Sequence, residues 1–366
     1  MKKLLKGAAA LTALALALGA GCTGKGAGET QNRGAAAAKI GVAMPTKSLQ
    51  RWNQDGDNLK RQLEAAGYAV DLQYGGENDI QIQVGQIENM IAGGVKVLVI
   101  AAIDGGSLTE ALKAAKEKNI PVIAYDRLIM NSDAVSYYAT FDNTKVGAMQ
   151  GQFIVERIDL ANAAGPFNIE LVTGAPDDNN VNFFFGGAMS VLKPHIDSGK
   201  LVVQSGQTTI AQCATPNWSS EESQKRFENL IQTYNYRPGG TKLDAVLCSN
   251  DSTSIGVTNA LVGAGWNRDN FPITTGQDCD LPAVKNILAG VQTMSVFKDT
   301  RILAEKTVGM VDALIKGSQP EINDTTTYDN GTGVIPSYLC EPVVVTLDNY
   351  KAMLLDSGYL QESQIQ

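Results

Sequence analysis

The chain of 366 residues carries 38 acidic against 30 basic side chains, a formal net charge of −8, and a single histidine. That length exceeds what one compact core usually supports, so two domains or two lobes of one fold are expected, and 44% hydrophobic with 19% charged residues fits a soluble globular chain. One histidine excludes a multi-histidine zinc site and leaves little room for histidine acid–base catalysis, while the acidic balance supplies no basic stripe for nucleic acid.

At the N-terminus, Lys2, Lys3 and Lys6 precede an apolar run from Ala8 to Ala20, which ends in Gly19-Ala20-Gly21-Cys22. A basic start, an apolar stretch of about a dozen residues and small residues before the cut describe a secretory signal peptide, too short to span a bilayer as a helix. Cys22 resembles the lipid-attachment cysteine of bacterial lipoproteins, although Leu18 stands one place earlier than that pattern's leucine; ordinary secretion is the alternative. Residues 1–22 are therefore read as a lipoprotein-type signal peptide and residues 23–38, rich in Gly and Ala, as a flexible tether. This places the protein at the outer face of the cytoplasmic membrane or in a periplasm, with the membrane reached only through the lipid.

From Lys39 short β-rich runs alternate with amphipathic segments: Ile40–Ala43 then Trp52–Ala66, Ala69–Tyr74 then Ile80–Ile91, Val95–Ala101 then Ser107–Lys118, and Pro121–Tyr125 followed by Tyr137–Phe141. A second series holds Asn168–Val172, Leu201–Ser205, Asp244–Cys248, Ile273–Thr275 and Gln292–Phe297, and a last helix is expected over Leu347–Gly358. Continuous apolar runs this short, separated by helical patterns, predict parallel strands covered on both faces, hence two doubly wound α/β lobes. Cys213, Cys248, Cys279 and Cys340 allow three complete disulfide pairings in an exported chain, and sequence does not choose among them; Cys248, in an apolar run, reads as an inert buried thiol.

In open parallel sheets, ligands bind beyond the carboxyl ends of the strands. Those positions carry Thr46-Lys47 and Arg51-Trp52, then Asp104, Asp126-Arg127 and Asp142-Asn143 in the first series. In the second they carry Asp177-Asp178-Asn179-Asn180, Asn250-Asp251, Gln277-Asp278 and Lys298. Any one of these fits an ordinary helix cap, Asp104 and Asp280 best of all. Together they assemble carboxylates, amides, arginines and lysines, a mixture suited to a neutral polyol whose hydroxyls both donate and accept. Trp52 and the Phe183-Phe184-Phe185 triplet can cover a sugar's C–H face, with one or two of the phenylalanines expected there; Trp218 reads as core or rim. His195, in a polar segment, reads as a surface residue.

The stretches MPTKSLQRW, VLVIAAIDG, VIAYDRL, TFDN, APDDNN, SNDSTSIG, TTGQD and VFKDTR, in this order from about Lys39 to Gln366, resemble the periplasmic D-xylose-binding and multiple-monosaccharide-binding proteins that serve ABC importers. The resemblance implies the periplasmic binding protein type I fold: two Rossmann-like doubly wound lobes, three hinge crossings and a pyranose in the interlobe cleft. By motif the sugar-binding positions are Arg51, Trp52, Asp126, Arg127, Asp178, Asn180, Asp251, Gln277 and Lys298, with Lys47 and Phe184 added. Crossings are expected near Asn143, Gln277 and Asp324, giving one lobe of residues 39–143 plus 278–324 and another of 144–277 plus 325–366. No cofactor and no metal are implied. Glu222 stands where xylose binders place an amide-bearing residue, which puts the preferred sugar in question. The implied partners are a monosaccharide and importer permease subunits, or a chemoreceptor or sensor kinase if the closed form signals. A carbohydrate enzyme using Asp177 and Asp178 as acid and base is the rival class.

Overall fold

The computed structural model describes residues 37–366, so the signal segment, Cys22 and residues 23–36 of the expected tether lie outside the described residues. The first series folds as β1 (Lys39–Met44), α1 (Gln50–Ala65), β2 (Ala69–Tyr74), α2 (Ile80–Ala92), β3 (Val97–Ile100), α3 (Thr109–Glu117), β4 (Val122–Tyr125) and β5 (Val135–Phe141). The second holds α4 (Asn143–Ile158), β6 (Phe167–Val172), α5 (Asn180–Asp197), β7 (Leu201–Val202), α6 (Ile210–Cys213), α7 (Ser220–Tyr234), β8 (Ala245–Cys248), α8 (Asp251–Gly263) and β9 (Ile273–Thr274). After these come α9 (Leu281–Ala289), β10 (Met294–Phe297), α10 (Thr300–Lys316), β11 (Ser337–Cys340), β12 (Val343–Thr346) and α11 (Glu362–Ile365).

The first sheet runs in the order β11-β5-β4-β3-β1-β2, with every neighbouring pair parallel. Strand side chains alternate between faces. Ala43, Leu98, Ile100, Val122 and Ala124 therefore meet Ile87 and Met90 of α2 and Leu112 of α3. On the opposite face Ile40, Val42, Val97, Val99 and Ile123 meet Leu59 and Leu63 of α1 and Leu303 and Met310 of α10. The central strands β3 and β4 are apolar and fully buried because neither face reaches water, whereas the edge strand β2 carries Asp71 and Gln73.

The second sheet, β7-β6-β8-β9, obeys the same rule. Ile169, Leu171, Ala245 and Leu247 pack on α4 and α5, whereas Val172, Val246 and Cys248 pack on α7 and α8. Helices α4 and α5 approach closely enough that a Cβ at Gly147 would stand 1.9 Å from the Phe184 carbonyl oxygen. That contact holds the start of α5, and with it the cleft, against α4.

Sheet membership corrects two of the three expected crossings. The chain leaves the first sheet after Phe141, and α4 joins α5. It does not return near Gln277: Gln277 bridges Val296 in parallel, and Met294 and Val296 pack with Phe184 and Trp218 of the second half. The return comes after β10, where α10 packs on α1. The last crossing, expected near Asp324, comes after Cys340, because β11 pairs with β5 while β12 pairs antiparallel with β10. A strand–helix alternation reads the same in either lobe, and only pairing assigns the strand.

The expected helix over Leu347–Gly358 reduces to a π-helical turn at Lys351–Leu355. Cys213, Cys248, Cys279 and Cys340 are all buried free thiols, so none of the three disulfide pairings is realised. Burial, with nearby carboxylates adding to it, pushes their titration upward, Cys213 to about 11 and Cys340 to about 12.

Candidate functional site

The carboxyl ends of the strands in both halves converge on one cleft, with a cavity of about 40 Å³ inside a hollow of about 430 Å³. Its walls hold Arg51, Trp52, Asp126, Arg127, Asp178, Asn180, Phe184, Gln277 and Lys298, nine of the expected residues.

Arg51 opens the first turns of α1 and is 5% exposed. Its Nε donates to Asp55 at 2.6 Å, Nη2 to Asp126 at 2.6 Å and Nη1 to Asp278 at 2.5 Å, so one guanidinium ties the end of β4 to the turn after β9. Lys298 adds a contact to Asp278 at 3.0 Å. Burial pushes the Asp126 carboxyl up, but Arg51, Lys298 and Arg127 together hold it below the usual carboxylate range.

Asp126 has a backbone φ of 58°, strained for a residue with a Cβ. The strain is held by hydrogen bonds: its carbonyl accepts from Tyr138 Oη at 2.5 Å, Thr140 Oγ1 at 3.1 Å and Asn180 Nδ2 at 2.7 Å. Two more cleft residues share the left-handed region, Trp218 at 55° and Asp278 at 97°.

The other wall comes from the start of α5. Asp178 Oδ1 accepts from the Asn180 amide at 2.9 Å, and Oδ2 accepts from Trp218 Nε1 at 3.2 Å and pairs with Arg127 Nε at 3.0 Å. The phenylalanine triplet divides by helical rotation of about 100° per residue. Phe183 packs on Tyr328, Phe185 joins the core with Ile169 and Leu171, and Phe184 alone lines the cleft, 6.2 Å and edge-on to Trp218. Trp52 faces them from α1, with the Arg127 guanidinium 5.0 Å from its ring. Aromatic cover thus reaches the cleft from both halves.

Lys47 and Asp251 do not line the cleft. Lys47 is exposed and lies 4.8 Å over the Tyr74 ring, because α1 starts three residues later and carries the chain inward only at Arg51. Asp251 is fully buried behind the wall, its carboxylate accepting from Ser295 Oγ, Gln292 Nε2 and the Asp280 amide, each at 2.9 Å. The preceding residue, Asn250, lines the cleft instead.

Leu49, Trp218, Ser252, Asp278 and Asp280 also line it. Asp278 was legible beside Gln277 in the TTGQD stretch. Asp280 is not the simple cap expected: it sits at the N-cap of α9 without a side-chain capping bond, and its Oδ1 is buried with no partner. Asp104 does behave as expected, accepting from the Gly106 amide at 2.7 Å. Glu222 is outside the cleft, paired with Lys225 on the exposed side of α7, so the residue expected to alter the hydroxyl pattern cannot reach it.

Asp177 is exposed while Asp178 is buried against Arg127 and Trp218, so the two do not face one substrate as an acid–base pair must. His195 is half-buried in the last turn of α5, away from the cleft walls.

The lining balances three cations, Arg51, Arg127 and Lys298, against the carboxylates Asp126, Asp178, Asp278 and Asp280. Three buried polar atoms of lining residues lack a partner: the donor Trp52 Nε1 and the acceptors Gln277 Oε1 and Asp280 Oδ1. Buried polar groups are nearly always satisfied, so this set marks a place for a neutral ligand that both donates and accepts.

Residues 40–319 match the periplasmic binding protein domain. The chain belongs to the periplasmic binding protein family. It is 52% identical to the multiple sugar-binding periplasmic receptor ChvE of Rhizobium radiobacter, over 89% of this chain and 92% of that one. Identity to the D-xylose-binding periplasmic protein of Escherichia coli is 37%, over 90% and 93% of the two chains. Among solved structures, an ABC transporter solute-binding protein from Clostridium phytofermentans with bound β-D-glucose superposes with a TM-score of 0.87 at 59% identity, covering 90% of this chain and all of that one. Periplasmic binding proteins of this kind bind substrate and do not transform it, and this chain is a binding protein rather than an enzyme.

Proposed function

We propose that the protein is an extracytoplasmic solute-binding protein that captures a monosaccharide, xylose, glucose or a similar pyranose, in this cleft and delivers it to the permease of an ABC importer. The observation that carries the reading is the set of one unpartnered donor and two acceptors between two aromatic walls. Relatives whose names include D-xylose-binding and sugar-binding support it, as does the structure with bound glucose. Arg51, Arg127, Lys298, Asp126, Asp178, Asp278, Asn180, Asn250 and Gln277 supply polar contacts in this reading, while Trp52, Phe184 and Trp218 cover the ring faces.

Sugar bridges the halves and shifts the population toward the closed form. Contacts between the halves, Arg127 to Asp178 and Asn180 to both Tyr138 and Asp126, support this reading. A sugar lacking one hydroxyl leaves its partner unsatisfied, at a cost of about 1–3 kcal/mol. Cys22 attaches the chain to the membrane through lipid, and the tether gives it reach. One relative is named as a receptor, which favours a second role in signalling to a membrane sensor.

The test is the melting temperature of residues 37–366, a compact unit, with millimolar xylose, glucose, galactose, arabinose, ribose and fucose. A sugar at a hundred times its dissociation constant stabilises the fold by about 2.7 kcal/mol. No shift with any of them, together with no heat of binding, overturns the reading. Small-angle scattering that stays unchanged on saturation would count against closure.

A further inference from the structure

The sugar cleft does not end at its own walls. Leu49, Ser252 and Asp280 line it on one side and, on the other, line a groove of about 590 Å³ that opens outward between the first turn of α1 and the start of α7. The inner cavity, at about 40 Å³, has room for one ring at most, whereas the groove is more than ten times larger. The two spaces share a wall rather than lying at separate places in the fold.

The groove's chemistry resembles the cleft's but lacks its cations. Hydroxyls and amides come from both halves, Ser48 and Asn78 facing Asn217 and Ser219. Leu49, Ile255 and Pro282 add apolar surface suited to C–H groups. The charged lining consists of Glu77, Glu221 and Asp280, with no lysine or arginine among them. Anionic groups such as phosphates or uronates are therefore disfavoured, and a neutral polyol is not. At the junction, Asp280 is 7% exposed and its Oδ1 is buried without a partner. Ser252 donates to the Trp218 carbonyl at 2.6 Å, which leaves its oxygen's lone pairs to accept. Both groups belong to the lining that the two spaces share.

We propose that this groove is a second subsite and that the protein takes neutral disaccharides, one ring in the cleft and the linked ring in the groove. The inference rests on the inner cleft holding a pyranose. Asp280 Oδ1 and Ser252 Oγ then accept hydroxyls beside the linkage, and the outer ring meets Ser48, Asn217 and Ser219.

Isothermal titration of the full chain in detergent with glucose and xylose, and with cellobiose, maltose, gentiobiose and xylobiose to cover the linkages, tests it. At least one disaccharide is expected to bind with a dissociation constant within tenfold of its monosaccharide. If the monosaccharides bind and every disaccharide is more than tenfold weaker, the subsite is overturned while the pyranose reading stands. If no sugar binds at all, both fall. Ser220→Trp, which fills the groove from the exposed first turn of α7, is expected to weaken the best disaccharide at least tenfold and leave the monosaccharide within twofold. Equal weakening of both, or of neither, overturns the proposal.

Discussion

Two groups of buried aspartates flank the cleft, and they differ in whether a cation reaches them. Around Arg51, the carboxylates of Asp55, Asp126 and Asp278 share one guanidinium, with Lys298 close behind. On the other wall Asp280 lines the cleft with Oδ1 unpartnered, Asp251 behind it accepts hydrogen bonds from Ser295, Gln292 and the Asp280 amide, and neither forms an ion pair among the described residues. Burial raises the Asp280 carboxyl to about 7, with the charge of Asp278 adding to it, and raises Asp251 well above its ordinary range, with Asp280 and Asp278 adding to the burial. Residue type and depth are the same in both groups. A nearby cation offsets burial most fully at Asp126 and not at Asp280, because in a low-dielectric cleft an unpaired carboxylate costs more than a bound proton.

Removing the cation should break the first group most severely. Arg51→Met leaves buried Asp55 without a cation and Asp126 and Asp278 to share Lys298, and a loss of about 3–5 kcal/mol is expected in urea denaturation. Arg51→Lys should recover only part of it, since one ammonium cannot serve three carboxylates in the fork geometry. Equal stability of wild type and Arg51→Met would show that the cluster contributes nothing net.

Asp280 and Asp126 have pH dependences of opposite sign, and Asp55, raised to about 6 by burial, follows the sign of Asp280. Asp280, raised from 3.8 to about 7, binds its proton more tightly folded than unfolded, so its stabilising contribution is full below about pH 4 and fades as pH rises toward and past 7. Asp126, lowered, contributes above its unfolded value of 3.8 and loses that contribution as pH falls. Asp280→Asn mimics the protonated form. It should match wild type below about pH 4 and exceed it by about 4 kcal/mol at pH 8. A difference that does not change with pH would place an ionised Asp280 in the folded protein throughout.

Shape separates the two walls more gently. A Cβ at Gly174 would lie 2.1 Å from the Trp218 ring, so Gly174→Ala must push that ring toward the sugar. About a tenfold loss of sugar affinity, roughly 1.4 kcal/mol, is expected by titration, with a smaller loss of fold stability. The smallest effect belongs to Glu222→Gln. Its side chain is exposed and pairs only with Lys225, so sugar affinity should change by less than about 0.5 kcal/mol. A larger change would return this position to the specificity question that the structure removes it from.

Most of the cleft was legible because its chemistry sits at strand ends, where a parallel sheet always exposes the following residues. Arg51, Asp126, Arg127, Asp178 and Lys298 were found by that rule and by motif. Lys47 and Asp251 were wrong by local geometry: α1 turns the chain inward only at Arg51, and the first turn of α8 points Asn250 into the cleft and Asp251 away from it. Trp218 and Asp280 gave no decisive sequence signal, since a tryptophan after a loop and an aspartate before a helix have ordinary structural uses.

By itself the sequence determined the strands, the helices and the polar–aromatic character of the site. Those follow from local periodicity and from the need of each buried strand to be apolar on both faces. Tertiary structure alone decided which sheet β10, β11 and β12 join, and so where the hinges fall, because strand pairing is a long-range choice that a repeating pattern does not encode. It alone also decided which carboxyls titrate low and which high, since Asp126 gains the Arg51 guanidinium and Asp280 forms no ion pair only once the two walls have folded together.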